Sequence, residues 1–286
     1  MSLTKFIGLV SETNQVNSSE LQRVAGAIDK QVKRDFAGPW GISASVNSFA
    51  SLDDVPTDYW VVVVRDDIGY EGAAGIHLDQ DGQPFALVQA DSEWSLTASH
   101  EVLEMLADPF GNRLVAGESP KSRQGRVNFL VEICDPSEGA EFGYTVNGVL
   151  VSDFYFPSFF DPVGAKDVRY SFTSSLPKPR DIVRGGYLSW MIPETGKWYQ
   201  KTFFGKKPTY VSLGRQDASY RSLREFIDHN TQKPLEQRRG SAKAALKASA
   251  VFSLPAQVKT ASSGKAGRLR VQLNALLKRD KGHVKR

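Results

Sequence analysis

The run YWVVVV at residues 59–64 constrains the fold of this chain more than any other segment. Six consecutive large apolar residues, four of them valines, are typical of a strand that is covered on both faces. Neighbouring strands are predicted at KFIGLV (5–10), ISASVN (42–47) and QPFALVQ (83–89), where apolar residues run together or alternate. A helix with apolar residues from Leu21 to Phe36 separates the first two. The pattern therefore predicts an α+β fold, a mixed sheet with helices packed on it.

The pattern changes after Pro109 and becomes richer in turns and aromatic residues. Residues 110–126 are predicted as a loop, and hairpins are predicted at 144–151, around Asn-Gly, and at 187–204, around Pro-Glu-Thr-Gly. Residues 217–228 are predicted as a short helix with Tyr220, Leu223 and Phe226 inward. We predict three regions: a sheet-and-helix domain at 1–165, a smaller β-rich region at 166–230 and a basic C-terminal tail at 231–286.

Composition favours a protein of a reducing compartment. No apolar run approaches the roughly 20 residues that a membrane helix needs. The N-terminal residues lack the long apolar segment of a secretory signal. Cys134 is the only cysteine, so an internal disulfide is excluded. We expect a soluble cytoplasmic protein without membrane contact, and the sequence does not indicate its oligomeric state.

The net charge of +4 is unevenly distributed along the chain. Residues 233–286 hold 14 Lys or Arg and only two acids, a segment charge of +12, so residues 1–232 carry −8. Such a tail can bind nucleic acid or another polyanion by releasing counterions, dock a partner, fold back on the acidic body, or remain a solvated extension. Non-specific electrostatic binding or partner docking is the interpretation we prefer.

The stretch TASHEVLEMLAD (97–108) is predicted to be a helix with His100, Glu101, Glu104 and Asp108 on one side. His100 and Glu104 are one turn apart on the same face, the spacing at which H-E-x-x-H holds a zinc ion. Glu101 is then the candidate general base. Asp108 is a further ligand, a partner of His100, or a cap before Pro109. The alternative is that Glu101 and Glu104 are ordinary solvated acids of an amphipathic helix.

Two residues elsewhere in the chain are candidates for the same site. Asp135, in VEICDPSE (131–138), either completes a His/Glu/Asp ligand set or only forms a turn with Pro136 and Ser137. His77, in AAGIHLDQDG (73–82), either stabilises an oxyanion at the cleft or is a solvated loop histidine.

SHEVLEMLADP (99–109) followed by VEICD (131–135) resembles the pattern HELxExxTDP followed by EIxDxC in EXORDIUM-like proteins and related bacterial predicted metallopeptidases. The resemblance covers roughly residues 1–165. It implies a zincin-like fold in which His100, Glu104 and a downstream acid bind zinc and Glu101 acts as base. This chain departs from the zinc-peptidase pattern because Glu104 stands in place of a second histidine. The cysteine of EIxDxC is also out of register, since Cys134 precedes Asp135.

The sequence therefore predicts a zinc-dependent metallopeptidase or related hydrolase that acts on a peptide or protein. Its substrate is expected to lie extended along the strand near 83–89. The alternative is a catalytically inactive zincin-like binding or structural protein that uses its basic tail and aromatic hairpin for contacts.

Overall fold

A computed structural model describes residues 4–70 and 73–231 of the chain. Its strands are β1 (Lys5–Ser11), β2 (Ala44–Phe49), β3 (Tyr59–Arg65), β4 (Gly75–Gln80), β5 (Gln83–Gln89), β6 (Leu114–Glu118), β7 (Arg126–Leu130), β8 (Tyr144–Val146), β9 (Val149–Val151), β10 (Tyr187–Ile192), β11 (Lys197–Thr202) and β12 (Thr209–Arg215). Its α-helices are α1 (Ser18–Gln31), α2 (Ala37–Trp40), α3 (Trp94–Ala107) and α4 (Leu223–Asn230). None of these helices is long and apolar enough to cross a bilayer.

The first sheet has the order β2-β1-β3-β5-β4, with β3 at its centre as predicted. Strands β2, β1, β3 and β5 are parallel, and β4 joins antiparallel to β5. The valines of β3 alternate between two apolar clusters: Val62 and Val64 pack with residues of α1 and α3, and Val61 and Val63 pack on the opposite face. Both faces of the strand are covered, and the predicted α+β fold class is confirmed.

Residues Gly75–Gln80 form strand β4, so His77 lies in a strand and not in a loop, which was one of its two predicted settings. Asp81 and Gly82 both have positive φ, 54° and 76°, and form the two-residue turn of a β4–β5 hairpin. Strand β5 is consequently hydrogen-bonded on both edges, to β3 and to β4. The expected position of a substrate strand along 83–89 is therefore wrong, because no edge is open there.

The second sheet is antiparallel, with the order β12-β11-β10-β7-β6. The predicted hairpins are confirmed as β8–β9 and β10–β11. The loop predicted at 110–126 is wrong in part, because Leu114–Glu118 forms β6 against β7. Strand β7 pairs with β10, so one sheet combines residues from the two predicted regions 1–165 and 166–230. Of the predicted basic tail, residues 232–286 lie outside the described residues.

Close backbone packing places the segment that follows β7. The chain leaves β7 and forms a short 3-10 turn at Asp135–Ser137, with Pro136 at its start. Gly186 precedes β10 and lies directly against this turn. A Cβ atom at Gly186 would come 2.3 Å from the Pro136 carbonyl oxygen and 2.8 Å from the Asp135 carbonyl oxygen. The glycine therefore fixes how closely the second sheet approaches Asp135.

We predict that Gly186→Ala lowers the free energy of unfolding by about 1–3 kcal/mol, because a methyl group there displaces backbone. Gly26→Ala is the control, since a Cβ at this α1 position meets nothing within 4 Å and should be neutral or stabilising by up to about 1 kcal/mol. Urea unfolding measures both variants. Equal stabilities of Gly186→Ala and the wild type would contradict this packing account.

Candidate metal site

Helix α3 is buried on nearly all sides because apolar residues occupy every face of it. It packs between the first sheet and the β8–β9 hairpin. Its acidic residues therefore lie in the interior: Glu104 is 0% exposed and Glu101 is 2% exposed. The alternative of ordinary solvated acids is wrong for both residues. Solvent reaches this part of α3 at His100, whose side chain is 12% exposed.

His100 brings Glu104 and Asp135 together, as the sequence predicts. Its Nε2 atom lies 3.2 Å from Glu104 Oε2 and 3.3 Å from Asp135 Oδ1. The 3-10 turn after β7 carries Asp135 to this position, so the residue both forms a turn and faces His100. No described residue donates a hydrogen bond to the buried Oδ2 atom of Asp135. Glu104 is fixed from the other side, because its Oε1 accepts a hydrogen bond from the Cys134 backbone N–H at 3.0 Å.

His77 also lies in this cluster and is 2% exposed, so the solvated-loop alternative is wrong. Its Nε2 donates to the Asp108 carbonyl oxygen at 3.0 Å. That contact turns Nδ1 toward Glu101 Oε2 at 3.4 Å and Glu104 Oε2 at 4.0 Å. A histidine that binds a metal usually donates its other ring N–H to a carboxylate, a backbone carbonyl or water, and His77 Nε2 makes a contact of this kind.

The carboxylate of Asp108 is not brought to the other predicted residues. Helix α3 ends at Ala107, and Asp108 is its C-cap with φ −140°. Its Oδ2 accepts a hydrogen bond from the Arg113 backbone N–H at 2.6 Å. Of the three roles that the sequence left open, the structure places it as a cap. It still contributes indirectly, because its carbonyl oxygen holds the His77 ring.

Sequence reasoning missed Arg224, the guanidinium of the cluster. This residue of α4 is 3% exposed. Its Nη1 contacts Glu104 Oε2 and Glu132 Oε2, and its Nη2 lies 3.5 Å from Glu101 Oε2. Its Nε lies 3.2 Å from Asp228 Oδ2. The sequence did contain a sign of this buried arginine. Arg224 is one helical turn after Tyr220 and next to Leu223, so it lies on the face of the helix that was predicted to point inward.

Negative charge exceeds positive charge in this cluster. Five carboxylates meet the guanidinium and the two histidines: Glu101, Glu104, Glu132, Asp135 and Asp228. Carboxylates removed from water need protons, cations or hydrogen-bond donors to remain there. The cluster is therefore suited to holding a further cation.

The pKa directions report the same excess of charge. Burial alone would lower the pKa of His100, but Glu104 and Asp135 raise it well above its ordinary value. Burial opposes ionisation of Glu104, yet Arg224 and His100 hold its pKa well below the usual range. Burial raises the pKa of Glu132 well above that range despite Arg224, so this group favours the protonated form. The metal-free cluster is thus partly neutralised by protons.

The donor atoms fit a metal ion. Three groups have ligand atoms within 4.8 Å of one another, and each includes Glu104: one with His100 and Cys134, one with His77 and Glu101, and one with Glu132 and Asp135. Atoms bound to a tetrahedral zinc ion at about 2.0–2.1 Å are about 3.3 Å apart. The contacts of His100 Nε2 with Glu104 and Asp135 have this spacing. These three residues do not appear together in any of the three groups, so the spacing is shown only for the contacts that His100 makes. Cys134 is less suited, because burial raises the pKa of its thiol well above its ordinary value.

Comparison of the chain with protein-family models, with curated proteins and with solved structures found no match.

We predict that Glu104→Gln lowers the pKa of His100, because the nearest carboxylate charge is lost while burial remains. A pH titration of the His100 ring protons by NMR in metal-free protein measures the change. Protonated His100 also stabilises the metal-free fold at low pH, and this contribution is lost as the pH rises through the raised pKa. The exposed Glu141→Gln is the control. An unchanged His100 titration in Glu104→Gln would contradict the assignment.

Proposed function

We propose that the chain is a metal-dependent hydrolase of the metallopeptidase type, with one zinc ion held by His100, Glu104 and Asp135. The observation that carries the proposal is the position of His100 Nε2, 3.2 Å and 3.3 Å from one oxygen of each acid. The resemblance of SHEVLEMLADP to predicted metallopeptidases, which includes the same His100 and Glu104, also supports it. The exposed edge of His100 gives this side of the cluster contact with solvent.

The residues present fit such an ion. Oδ2 of Asp135 is buried and accepts no hydrogen bond from the described part of the chain. Glu104 has one oxygen committed to the Cys134 N–H and directs the other toward His100. A divalent cation at this point offsets part of the negative charge that protons offset in its absence. Three protein ligands leave a fourth tetrahedral position, which is the requirement for a catalytic zinc site.

Zinc in such a site would acidify a water molecule and polarise the scissile carbonyl. Glu101, the neighbour of His100 in the helix, is the candidate base that takes the proton from water. Burial opposes its ionisation, but Arg224 and His77 hold the pKa of Glu101 below its ordinary value, so the carboxylate is ionised, the form a base requires. The donor atom of His77 is occupied by the Asp108 carbonyl. His77 therefore supports the orientation of Glu101 in this proposal, in place of the oxyanion role expected from sequence.

Burial of the base favours the alternative function, a non-catalytic protein in which the cation is structural. Glu101 and His77 are each 2% exposed, so a substrate reaches them only if the surrounding elements move. Metal content and hydrolysis, measured separately, distinguish the two functions. The polyanion or partner contact proposed for residues 233–286 rests on their charge alone and concerns a segment outside the described residues.

We predict that purified wild-type protein contains close to one zinc per chain and that His100→Ala loses most of it, because the variant lacks the imidazole at the centre of the ligand set. Elemental analysis after dialysis measures this. His229→Ala is the matched control, since His229 is an exposed histidine of α4 that lies beside Tyr220 and outside the cluster. Equal zinc contents in wild type and His100→Ala would contradict the site.

We predict that Glu101→Gln keeps its zinc and loses hydrolysis by about 10²–10⁴-fold, because an amide cannot take a proton from water. Cleavage of a broad peptide library, compared with zinc content of the same samples, checks this. Loss of zinc would show Glu101 to be a ligand. Retained zinc in a wild type that cleaves nothing would support the structural alternative.

A further inference from the structure

We propose that the buried cluster has two cation positions and that the guanidinium of Arg224 fills the inner one in place of a second divalent metal ion. The outer position is the zinc site of the proposed function, and the proposal of two positions rests on that function. The inner position is bounded by Glu101, Glu104 and Glu132. It can be tested by itself, because its contacts involve neither His100 nor Asp135.

The two positions share carboxylates. Arg224 contacts one oxygen from each of three acids, the Oε2 atoms of Glu101, Glu104 and Glu132. Glu104 Oε2 is also the atom that lies 3.2 Å from His100 Nε2. One carboxylate oxygen therefore faces both positions. A bridging carboxylate between two neighbouring cations is the arrangement expected of a paired metal site.

Two buried ligand atoms beside the inner position, His77 Nδ1 and Glu132 Oε1, have no hydrogen-bond partner among the described residues. Glu101 Oε2 has only long ionic contacts, 3.5 Å from Arg224 Nη2 and 3.4 Å from His77 Nδ1. His77, Glu101 and Glu104 form a ligand group whose atoms lie within 4.8 Å of one another. No ligand group of the described residues contains both histidines, so the histidines belong to separate positions.

The charge balance of the cluster also favours a cation at the inner position. Five carboxyl groups face one guanidinium and two histidine rings. A divalent ion at the outer position would offset charge on its own ligands and leave Arg224 as the cation beside Glu101, Glu104 and Glu132. An arginine cannot neutralise itself by losing its proton, so Arg224 is a permanent cation. Replacing it with a neutral residue removes that charge and leaves three acids around a space that suits a divalent ion with oxygen and nitrogen ligands.

Helix α4 has attachments that do not depend on the guanidinium. The Arg224 backbone N–H donates to the Gly111 carbonyl at 3.0 Å, and the Leu223 N–H donates to Asn112 Oδ1 at 2.9 Å. Phe226 and Ile227 pack into a small apolar cluster with residues of the second sheet. A variant that changes only the end of the Arg224 side chain can therefore keep the helix in place.

Arg224→Met tests the proposal, because methionine resembles the aliphatic stem of arginine, removes the charge and vacates the positions of the two Nη atoms that contact the three acids. The full chain is dialysed against zinc alone and separately against manganese alone, and bound metal per chain is measured by elemental analysis. We expect one ion in the wild type and two in Arg224→Met. Arg224→Lys restores a fixed cation and should return the count to one. Arg221→Met is the matched control, since Arg221 precedes α4 and contacts Gln80 outside the cluster.

The double variant His100→Ala/Arg224→Met separates this inference from the proposed function, and we expect it to bind one ion at the inner position. An ion bound by Arg224→Met but not by the wild type would reject the zinc site and support the inner position. A folded Arg224→Met that binds no more metal than the wild type overturns the inference. If Arg224→Met unfolds without metal, recovery of cooperative unfolding on adding zinc supports the inference, and failure to recover overturns it.

Discussion

Burial of Glu104 among other carboxylates is the constraint on which the rest of the site depends. The residue is 0% exposed, and four further acids lie around it or around its arginine partner. Like charges removed from water repel strongly unless protons, donors or cations separate them. The chain meets this requirement with a backbone N–H from Cys134, two histidines and Arg224. A metal ion is the addition that we propose for the oxygens that remain without hydrogen-bond donors among the described residues.

The fold delivers these groups from widely separated segments. The β4–β5 hairpin brings His77 to α3, the turn after β7 brings Asp135, and α4 brings Arg224 from 120 residues beyond Glu104. The second sheet holds the turn in place through the close approach of Gly186. The site therefore requires both sheets. Helix α3, whose sequence resembles that of predicted metallopeptidases, supplies only part of it.

Local patterns in the sequence predicted the features that depend on residues close together in the chain. Four valines in a row indicated the central strand, and the spacing of His100 and Glu104 placed their side chains on one helical face. Strand β4 was missed because Ile76 and Leu78 are too few apolar residues to form a clear pattern, although Asp-Gly at 81–82 is a hairpin signal. The cap role of Asp108 was one of three left open, and Pro109 favoured it. The partners of Arg224 could not be predicted, because long-range packing sets them.

X-ray absorption at the zinc edge of the zinc-loaded protein tests the central claim most directly, since it reports the ligand atoms themselves. We expect one imidazole and a shell of oxygen atoms at about 2.0–2.1 Å, with no sulfur at about 2.3 Å. A sulfur ligand would place Cys134 at the metal in the position assigned to Asp135. A spectrum without any histidine ligand would contradict the site altogether.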